Sequence, residues 1–309
     1  MSPRKVLVFG ATGGVGSAVA RTVHSLGLKV FLALRDTSKP IPGLTTTDEQ
    51  TAGYERVQAD LNKPDSVRDA VSKTGATHAF IYAVLGGSSD HLRSTAEALK
   101  AAGIEQVVLL SSYGTQGDIR TISPSNFIAY EHAQVEISLD DVFGPEGYVA
   151  VRPAFFNTNV FWWKKQIDEC GEVKISFPDA KFDYISPDDV GAVCGTILAG
   201  VLEGEQETAL SLVGPETDLS VAGAIEIIGR AIDKPMKVTK VSIDESVQLM
   251  VEKVGIPESQ ARFMTESFEN LGDGQDISPE VRANIERCLK RPATRFFDWV
   301  EQNKDKLKA

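Results

Sequence analysis

Two rhythms of apolar residues run through the first half of the chain. Short, nearly continuous apolar runs alternate with stretches in which apolar residues recur at helical spacing. Val6–Phe9 is the first run, and Val15, Ala18, Val19, Val23 and Leu26 then mark one face of a helix ended by Gly27. Lys29–Leu34, Arg56–Ala59, His78–Tyr82, Gln106–Leu110 and Tyr148–Val151 read as further strands. Between them, Pro64–Val71 reads as a helix. Asp90 opens another, carrying Leu92, Ala96 and Leu99 and stopped by Gly103, and a third begins near Phe127. Alternation of this kind predicts an open parallel sheet flanked by helices. Residues 37–54 break the rhythm: they lack helical periodicity, are rich in Pro, Gly and Thr, and read as a mobile loop in place of a crossover helix.

The turn after the first strand is Gly10-Ala-Thr12-Gly13-Gly14-Val15-Gly16. Strand, glycine turn and helix together form the entry to a nucleotide-binding βαβ unit. Gly10 allows the tight turn, Gly13 a close approach to pyrophosphate, and Gly16 close helix–strand packing. The helix N-terminus then offers free N–H groups and a positive dipole end to phosphate. Arg35 follows the second strand, nineteen residues past Gly16. There an acid selects ribose hydroxyls, whereas a planar, permanently charged guanidinium suits a 2′-phosphate and favours NADP over NAD. Asp36 competes as a ribose acceptor. Asp60 either accepts from the adenine amine or caps the helix that follows it. Gly10, Arg35, Asp60, Ala83 and Ser112 all fall at the carboxyl ends of strands, where an open parallel sheet binds its ligand.

The second half repeats the pattern less regularly. Asp183–Ser186 reads as a strand, with Ser186 capping a helix that has Pro187 at its first position and Val190, Val193, Ile197, Leu198 and Val201 on its buried face. Ala209–Val213 is another strand, and Ser220 caps a helix bearing Val221, Ala224, Ile225, Ile228 and Ile232. Lys237–Val241 is a small strand before helices over about 243–305. The expected architecture is a doubly wound, Rossmann-type parallel sheet over 1–155, to which elements near 182–213 return. A smaller, mostly helical C-terminal lobe over 156–309 would serve a substrate or partner.

Composition narrows the function classes. The chain has 309 residues, 42% hydrophobic and 24% charged, as in ordinary soluble globular proteins. Lys plus Arg (32) against Asp plus Glu (43) gives a net charge of −11, which argues against sequence-independent binding to nucleic acid or an anionic membrane. Cys170, Cys194 and Cys288 form no paired motif, as expected in a reducing compartment, with Cys194 a core residue. A first strand at about residue 5 leaves no room for a signal peptide, and no apolar run reaches membrane-spanning length, so a cytoplasmic location is expected. His24, His78, His91 and His132 make no metal-ligand spacing, and no metal is expected.

Several segments in fixed order carry a family likeness: Gly10–Gly16, Leu34-Arg35-Asp36, Asp60-Leu61, Leu110-Ser-Ser112, His132–Leu139, Arg152-Pro153-Ala-Phe-Phe156, Ile185–Gly191 and Arg291–Phe297. With these the chain resembles the NmrA-like proteins, an atypical branch of the short-chain dehydrogenase/reductase superfamily. The resemblance implies NADP(H) held by Gly10, Thr12, Gly13, Gly14, Val15, Arg35, Asp60, Leu61, Tyr82, Ala83, Val84, His132, Pro153 and Phe156. It implies one of two activities. One is NADPH-dependent hydride transfer to an apolar carbonyl, quinone or enone; the other is non-catalytic sensing of NADP(H) through a protein partner.

Related reductases use a Tyr, a Lys four positions on and a Glu a further four along. Anchored on Glu136, that register puts His132 at the Lys position and Ile128 at the Tyr position; starting from Tyr130 instead puts Gln134 at the Lys position. The usual acid is therefore missing. His132 holds the nicotinamide ribose, acts as an acid with a near-neutral pKa, or is simply a partly exposed helix histidine. Tyr130 and Tyr113 are reserve proton donors. Ser112 orients a carbonyl or caps its strand. The aromatic cluster Phe155, Phe156, Phe161, Trp162 and Trp163 lines an apolar substrate pocket or forms inter-domain core.

Overall fold

The computed structural model describes residues 4–202, 207–269 and 277–308. In chain order its elements begin with β1 (Lys5–Phe9), α1 (Gly14–Ser25), β2 (Lys29–Leu34), α2 (Thr46–Ala52), β3 (Glu55–Gln58) and α3 (Pro64–Thr74). There follow β4 (His78–Tyr82), α4 (Arg93–Ala101), β5 (Gln106–Leu110), α5 (Phe127–Phe143), β6 (Tyr148–Pro153) and α6 (Lys164–Cys170). Next come β7 (Glu172–Ile175), β8 (Lys181–Phe182), α7 (Pro187–Ala199), β9 (Ala209–Leu212), β10 (Leu219–Ser220) and α8 (Val221–Ala231). The last are β11 (Lys237–Lys240), α9 (Ile243–Val254), α10 (Glu258–Ser267), α11 (Pro279–Leu289) and α12 (Phe296–Leu307).

Among the described residues the main sheet has seven strands in the order β3-β2-β1-β4-β5-β6-β9, every pair parallel. The order reverses at β1, so right-handed crossovers put helices on both faces. That explains the unbroken apolar runs. Leu7, Phe9, Phe31, Ala33, Ile81, Val107 and Leu109 share one core with residues of α3, α4 and α5, while the alternate residues Val6, Val8, Leu32, Phe80 and Val108 are equally buried. α1 packs closely on α7. A Cβ on Gly191 would lie 2.4 Å from Ala18 Cβ and 2.6 Å from the Val15 carbonyl oxygen, so only glycine lets the two helices approach this far.

The chain divides into two compact units. The first comprises Met1–Ala154, Pro187–Leu212 and Ala283–Pro292, and the second Phe155–Ser186, Val213–Arg282 and Ala293–Ala309. The stretch 156–309 is thus not one body, since two of its segments belong with the main sheet. In the second unit β7 pairs parallel with β11, and β8 pairs antiparallel with β10. Its core gathers Trp163, Phe182, Tyr184, Ile225, Ile228, Phe296 and Trp299, with Phe155, Phe161 and Trp162 packed against it. Phe155 stacks on Phe182 with ring centroids 3.8 Å apart. Asp183 is buried in the same unit, where its carboxylate accepts the Phe155 N–H (2.9 Å) and the Gly214 N–H (2.6 Å). Burial outweighs those bonds and pushes its pKa up to about 6.

Three local expectations are corrected. Residues 37–54 are not wholly loop, because α2 forms there. Thr45 and Asp48 make a reciprocal capping box, with the Thr45 hydroxyl accepting the Asp48 N–H and the Asp48 carboxylate the Thr45 N–H, and Gly53 ends the helix at φ 73°. The strand expected at Asp183–Ser186 is instead the two-residue β8 just before it, and Ile185 makes only an isolated bridge to Phe156. Val201 lies beyond α7 and is 52% exposed rather than part of its buried face. Within 243–305 the described residues form α9, α10, α11 and most of α12 with short non-helical links between them, and residues 270–276 lie outside the described residues.

Candidate functional site

The glycine turn folds as its spacing predicts. Gly10 sits at φ 70°, and a Cβ on Gly16 would lie 2.3 Å from the Gly10 carbonyl oxygen. The Gly13 N–H donates to that oxygen at 2.9 Å. Gly13 is the N-cap of α1; no side chain caps the helix, and no acid stands in its first turn. First-turn amides and an uncompensated dipole end therefore face the turn. The Tyr82 ring lies across Gly10, where a Cβ would come within 2.7 Å of Cε1.

Two depressions open from this turn and share Gly10, Thr12 and Tyr82. The first, of about 410 Å³, is lined by Phe9, Ala33, Leu34, Arg35, Asp36, Lys39, Ala59 and Leu61 besides the shared residues. Arg35 and Lys39 are exposed, and neither side chain makes a hydrogen bond or ion pair among the described residues. Asp36 is different. Its carboxylate accepts the Ser38 hydroxyl (2.6 Å) and the Ser38 N–H (2.9 Å), bonds that hold its pKa below the ordinary value. Two cations without a hydrogen bond, beside a carboxylate tied to its own turn, could hold a phosphate. Lys39 was not anticipated from the sequence.

The second depression, of about 350 Å³, is mostly apolar and lined by Gly13, Gly14, Val15, Gly16, Phe80, Ala83, Leu85, Leu110 and His132 besides the shared residues. His132 is only partly exposed, and its Nδ1 is buried without a partner. Burial lowers its pKa to about 4. This corrects the near-neutral expectation: the ring is neutral at physiological pH, carrying one N–H and one lone pair, and it is no imidazolium acid.

The remaining predicted residues fall outside these depressions. The Asp60 carboxylate accepts the Asn62 N–H at 3.0 Å, while α3 has Lys63 at its N-cap without a side-chain bond, so Asp60 is not that helix's cap. The Val84 carbonyl closes a turn with Gly87. The Ser112 hydroxyl accepts the Gly114 N–H at 3.2 Å, and the Tyr130 ring meets His91 edge-on at 6.0 Å. Pro153 is buried at the end of β6, and Phe156 belongs to the second unit.

Glu136, which anchors the family register, is 1% exposed and fully engaged. It accepts from Arg152 Nε (3.0 Å) and Nη2 (2.5 Å) and from the Ser111 hydroxyl. That network ties α5 to the ends of β5 and β6 and engages Glu136 in holding them together. Among the described residues no cluster of ligands could hold a metal ion, and no helix is long and apolar enough to cross a membrane.

Sheet order and glycine turn place the first unit in the Rossmann class of α/β folds. A model of the NmrA-like family matches residues 2–304, and the chain belongs to that family. It is 38% identical to the nitrogen metabolite regulation-like protein bik4 of Gibberella fujikuroi, with 96% of each chain covered. It is 24% identical to an NAD(P)H azoreductase of Xenophilus azovorans, again over 96% of each. Among solved structures it is similar in fold to an NADPH-dependent quinone oxidoreductase of Escherichia coli complexed with NADPH, with a TM-score of 0.70 and 18% identity over 96% of this chain and 99% of that one.

Proposed function

We propose that the chain binds NADP(H) across the glycine turn and reduces an apolar carbonyl, quinone or enone. The observation that carries the cofactor reading is the Arg35–Lys39 pair, two uncommitted cations beside a carboxylate already held by Ser38. In this reading Arg35 and Lys39 hold the 2′-phosphate. The first-turn amides of α1 take the pyrophosphate, and the neutral His132 ring makes one uncharged hydrogen bond to the nicotinamide ribose. Bound NADPH would supply the hydride, which is the cofactor's chemistry rather than the protein's. Val15, Phe80, Leu85 and Leu110 give that end apolar walls against which an apolar acceptor packs. With His132 neutral, the acceptor's proton comes from solvent, which suits quinones best among the acceptor classes.

A second reading, a regulator that reports NADP(H) to a protein partner, is favoured by one observation: His132 is kept neutral by burial, and the apolar depression holds no cation to assist a proton donor such as the Tyr82 phenol. Its likeness to a regulation-like protein at 38% identity supports it as well. One experiment separates the two. Binding of NADPH and NADH is measured by fluorescence, followed by nicotinamide absorbance against a panel of quinones, enones and aromatic aldehydes. Turnover with a quinone is the expected result. Tight NADPH binding with no turnover across the panel would favour the regulator, and failure to bind NADPH would overturn both readings.

A further inference from the structure

We infer that Arg56 and Glu49 are positioning residues that fix the Lys39 side of the phosphate depression and so set the preference for NADP(H) over NAD(H). The inference rests on the cofactor reading above. Arg56, on β3, does not line the depression itself. Its Nε and Nη2 donate to the two carboxylate oxygens of Glu49 at 2.7 and 2.6 Å. Its Nη1 donates to the carbonyls of Thr37 (2.5 Å) and Lys39 (2.8 Å). One planar guanidinium thus joins the first turn of α2 to the segment leaving β2, and its fork geometry fixes both directions at once. Glu49 is 8% exposed, and the Thr45–Asp48 capping box holds the turn of helix from which it projects.

Apart from this clasp, the Lys39 segment is held by short-range turns and at its flanks, where Gln58 Nε2 donates to the Arg35 carbonyl at 3.2 Å and Ile41 is buried. The Asp36 carboxylate binds Ser38, and the Lys39 N–H reaches the Asp36 carbonyl at 3.4 Å. The next anchor is Arg21, whose Nη1 donates to the Pro42 carbonyl at 2.8 Å. A lysine on a loose loop must be ordered when ligand binds, whereas one on a clasped backbone is ordered beforehand, and binding is tighter by that difference. NADH has no 2′-phosphate and does not feel it.

A purely electrostatic role for Arg56 predicts a different pattern, and the sign distinguishes the two. Removing the Glu49 charge would strengthen binding of a phosphate through the field, but weaken it through loss of the clasp. The experiment measures NADPH and NADH dissociation constants for the wild type, Arg56→Gln, Arg56→Lys and Glu49→Ala. Amide hydrogen exchange over residues 37–40 is followed in the cofactor-free proteins. The expected result is an NADPH-to-NADH preference reduced roughly tenfold in Arg56→Gln and severalfold in Glu49→Ala, with NADH affinity within about twofold of wild type and partial recovery in Arg56→Lys. Exchange over 37–40 should quicken in both Arg56→Gln and Glu49→Ala. A Glu49→Ala preference that is unchanged or raised, or exchange that stays at the wild-type rate, overturns the inference while leaving the cofactor reading intact. A wild type that binds both cofactors equally overturns the phosphate assignment and the inference together.

Discussion

The depressions on either side of Tyr82 are built to opposite specifications. One is lined by permanent charge: Arg35 and Lys39 stand uncommitted, and the nearest carboxylate is already bonded to Ser38. The other is walled by Val15, Phe80, Leu85 and Leu110, and its imidazole, His132, is kept neutral by burial. Binding a phosphorylated dinucleotide needs the first kind of surface, whereas the cation that would assist a proton donor has no counterpart on the second. The glycine turn joins them. In the proposed reading the chain holds NADP(H) at the charged end without the Tyr–Lys pair that the family resemblance leads one to expect. A quinone acceptor tolerates that loss, because its reduced form takes protons from water, and so does a regulator.

The harshest test removes what the two ends share. In Gly16→Val a side chain is forced against the Gly10 carbonyl, which stands 2.3 Å from where Cβ would be. Overpacking against backbone has no flexible neighbour to yield, so a stability loss of about 3 kcal/mol is expected, with binding of NADPH and NADH lost together. Thermal unfolding and cofactor titration measure both, and wild-type affinity in this variant would mean that the turn is not where the two ends meet.

Next in size is Arg35→Asp, which should separate the ends. Reversing the charge beside a 2′-phosphate is expected to weaken NADPH binding roughly 100-fold while leaving NADH within about threefold. Equal losses would show that Arg35 supports the fold of the β2 end rather than the phosphate.

How much of this contrast could be read in the sequence depends on how local each feature is. Lys29–Leu34, His78–Tyr82 and Gln106–Leu110 were legible to the residue because a strand covered on both faces has no polar positions to blur its ends. Arg35 was legible from its distance to the glycine turn. α2 was not, since seven residues are too few to show a period. Its available signal was the spacing of Thr45 and Asp48 followed by Gly53. Lys39 escaped notice because its place depends on Arg56 and Glu49, which lie beyond it in sequence and act through a fold that must first exist. The state of His132 was misjudged for a similar reason: a histidine's pKa is set by what covers the ring, and Phe80, Leu85 and Leu110 come from strands and loops far from it in the chain. Glu136 likewise gave its family position in the sequence but not its engagement by Arg152 and Ser111.

The neutrality of His132 has a pH signature. Its pKa is about 4 in the folded protein against an ordinary 6.5. Between those values the unfolded chain binds a proton that the folded one refuses, so stability falls as pH drops from about 6.5 towards 4 and levels off below. The contribution is at most about 3 kcal/mol, less to the extent that the ring keeps contact with solvent. Comparing denaturant midpoints of wild type and His132→Gln across that range isolates it. As pH falls the wild type should lose stability relative to His132→Gln, and parallel profiles would mean that the ring titrates normally and that His132 can supply an acid after all.

The smallest effects are expected at Ser112 and Tyr130, the hydroxyls offered in place of the missing tyrosine. Ser112 accepts the Gly114 N–H, and Tyr130 packs edge-on against His91; neither lines the apolar depression. Ser112→Ala should cost about 1 kcal/mol of stability through the lost turn bond, and Tyr130→Phe less than that. With whichever quinone the wild type reduces, both variants should turn over within about twofold of it. A kcat reduced tenfold or more in Tyr130→Phe, with NADPH affinity unchanged, would make Tyr130 the proton donor although it does not line the apolar depression. The asymmetry between the two depressions would then describe the protein at rest and not during turnover, and the lost Tyr–Lys register would have been replaced rather than abandoned.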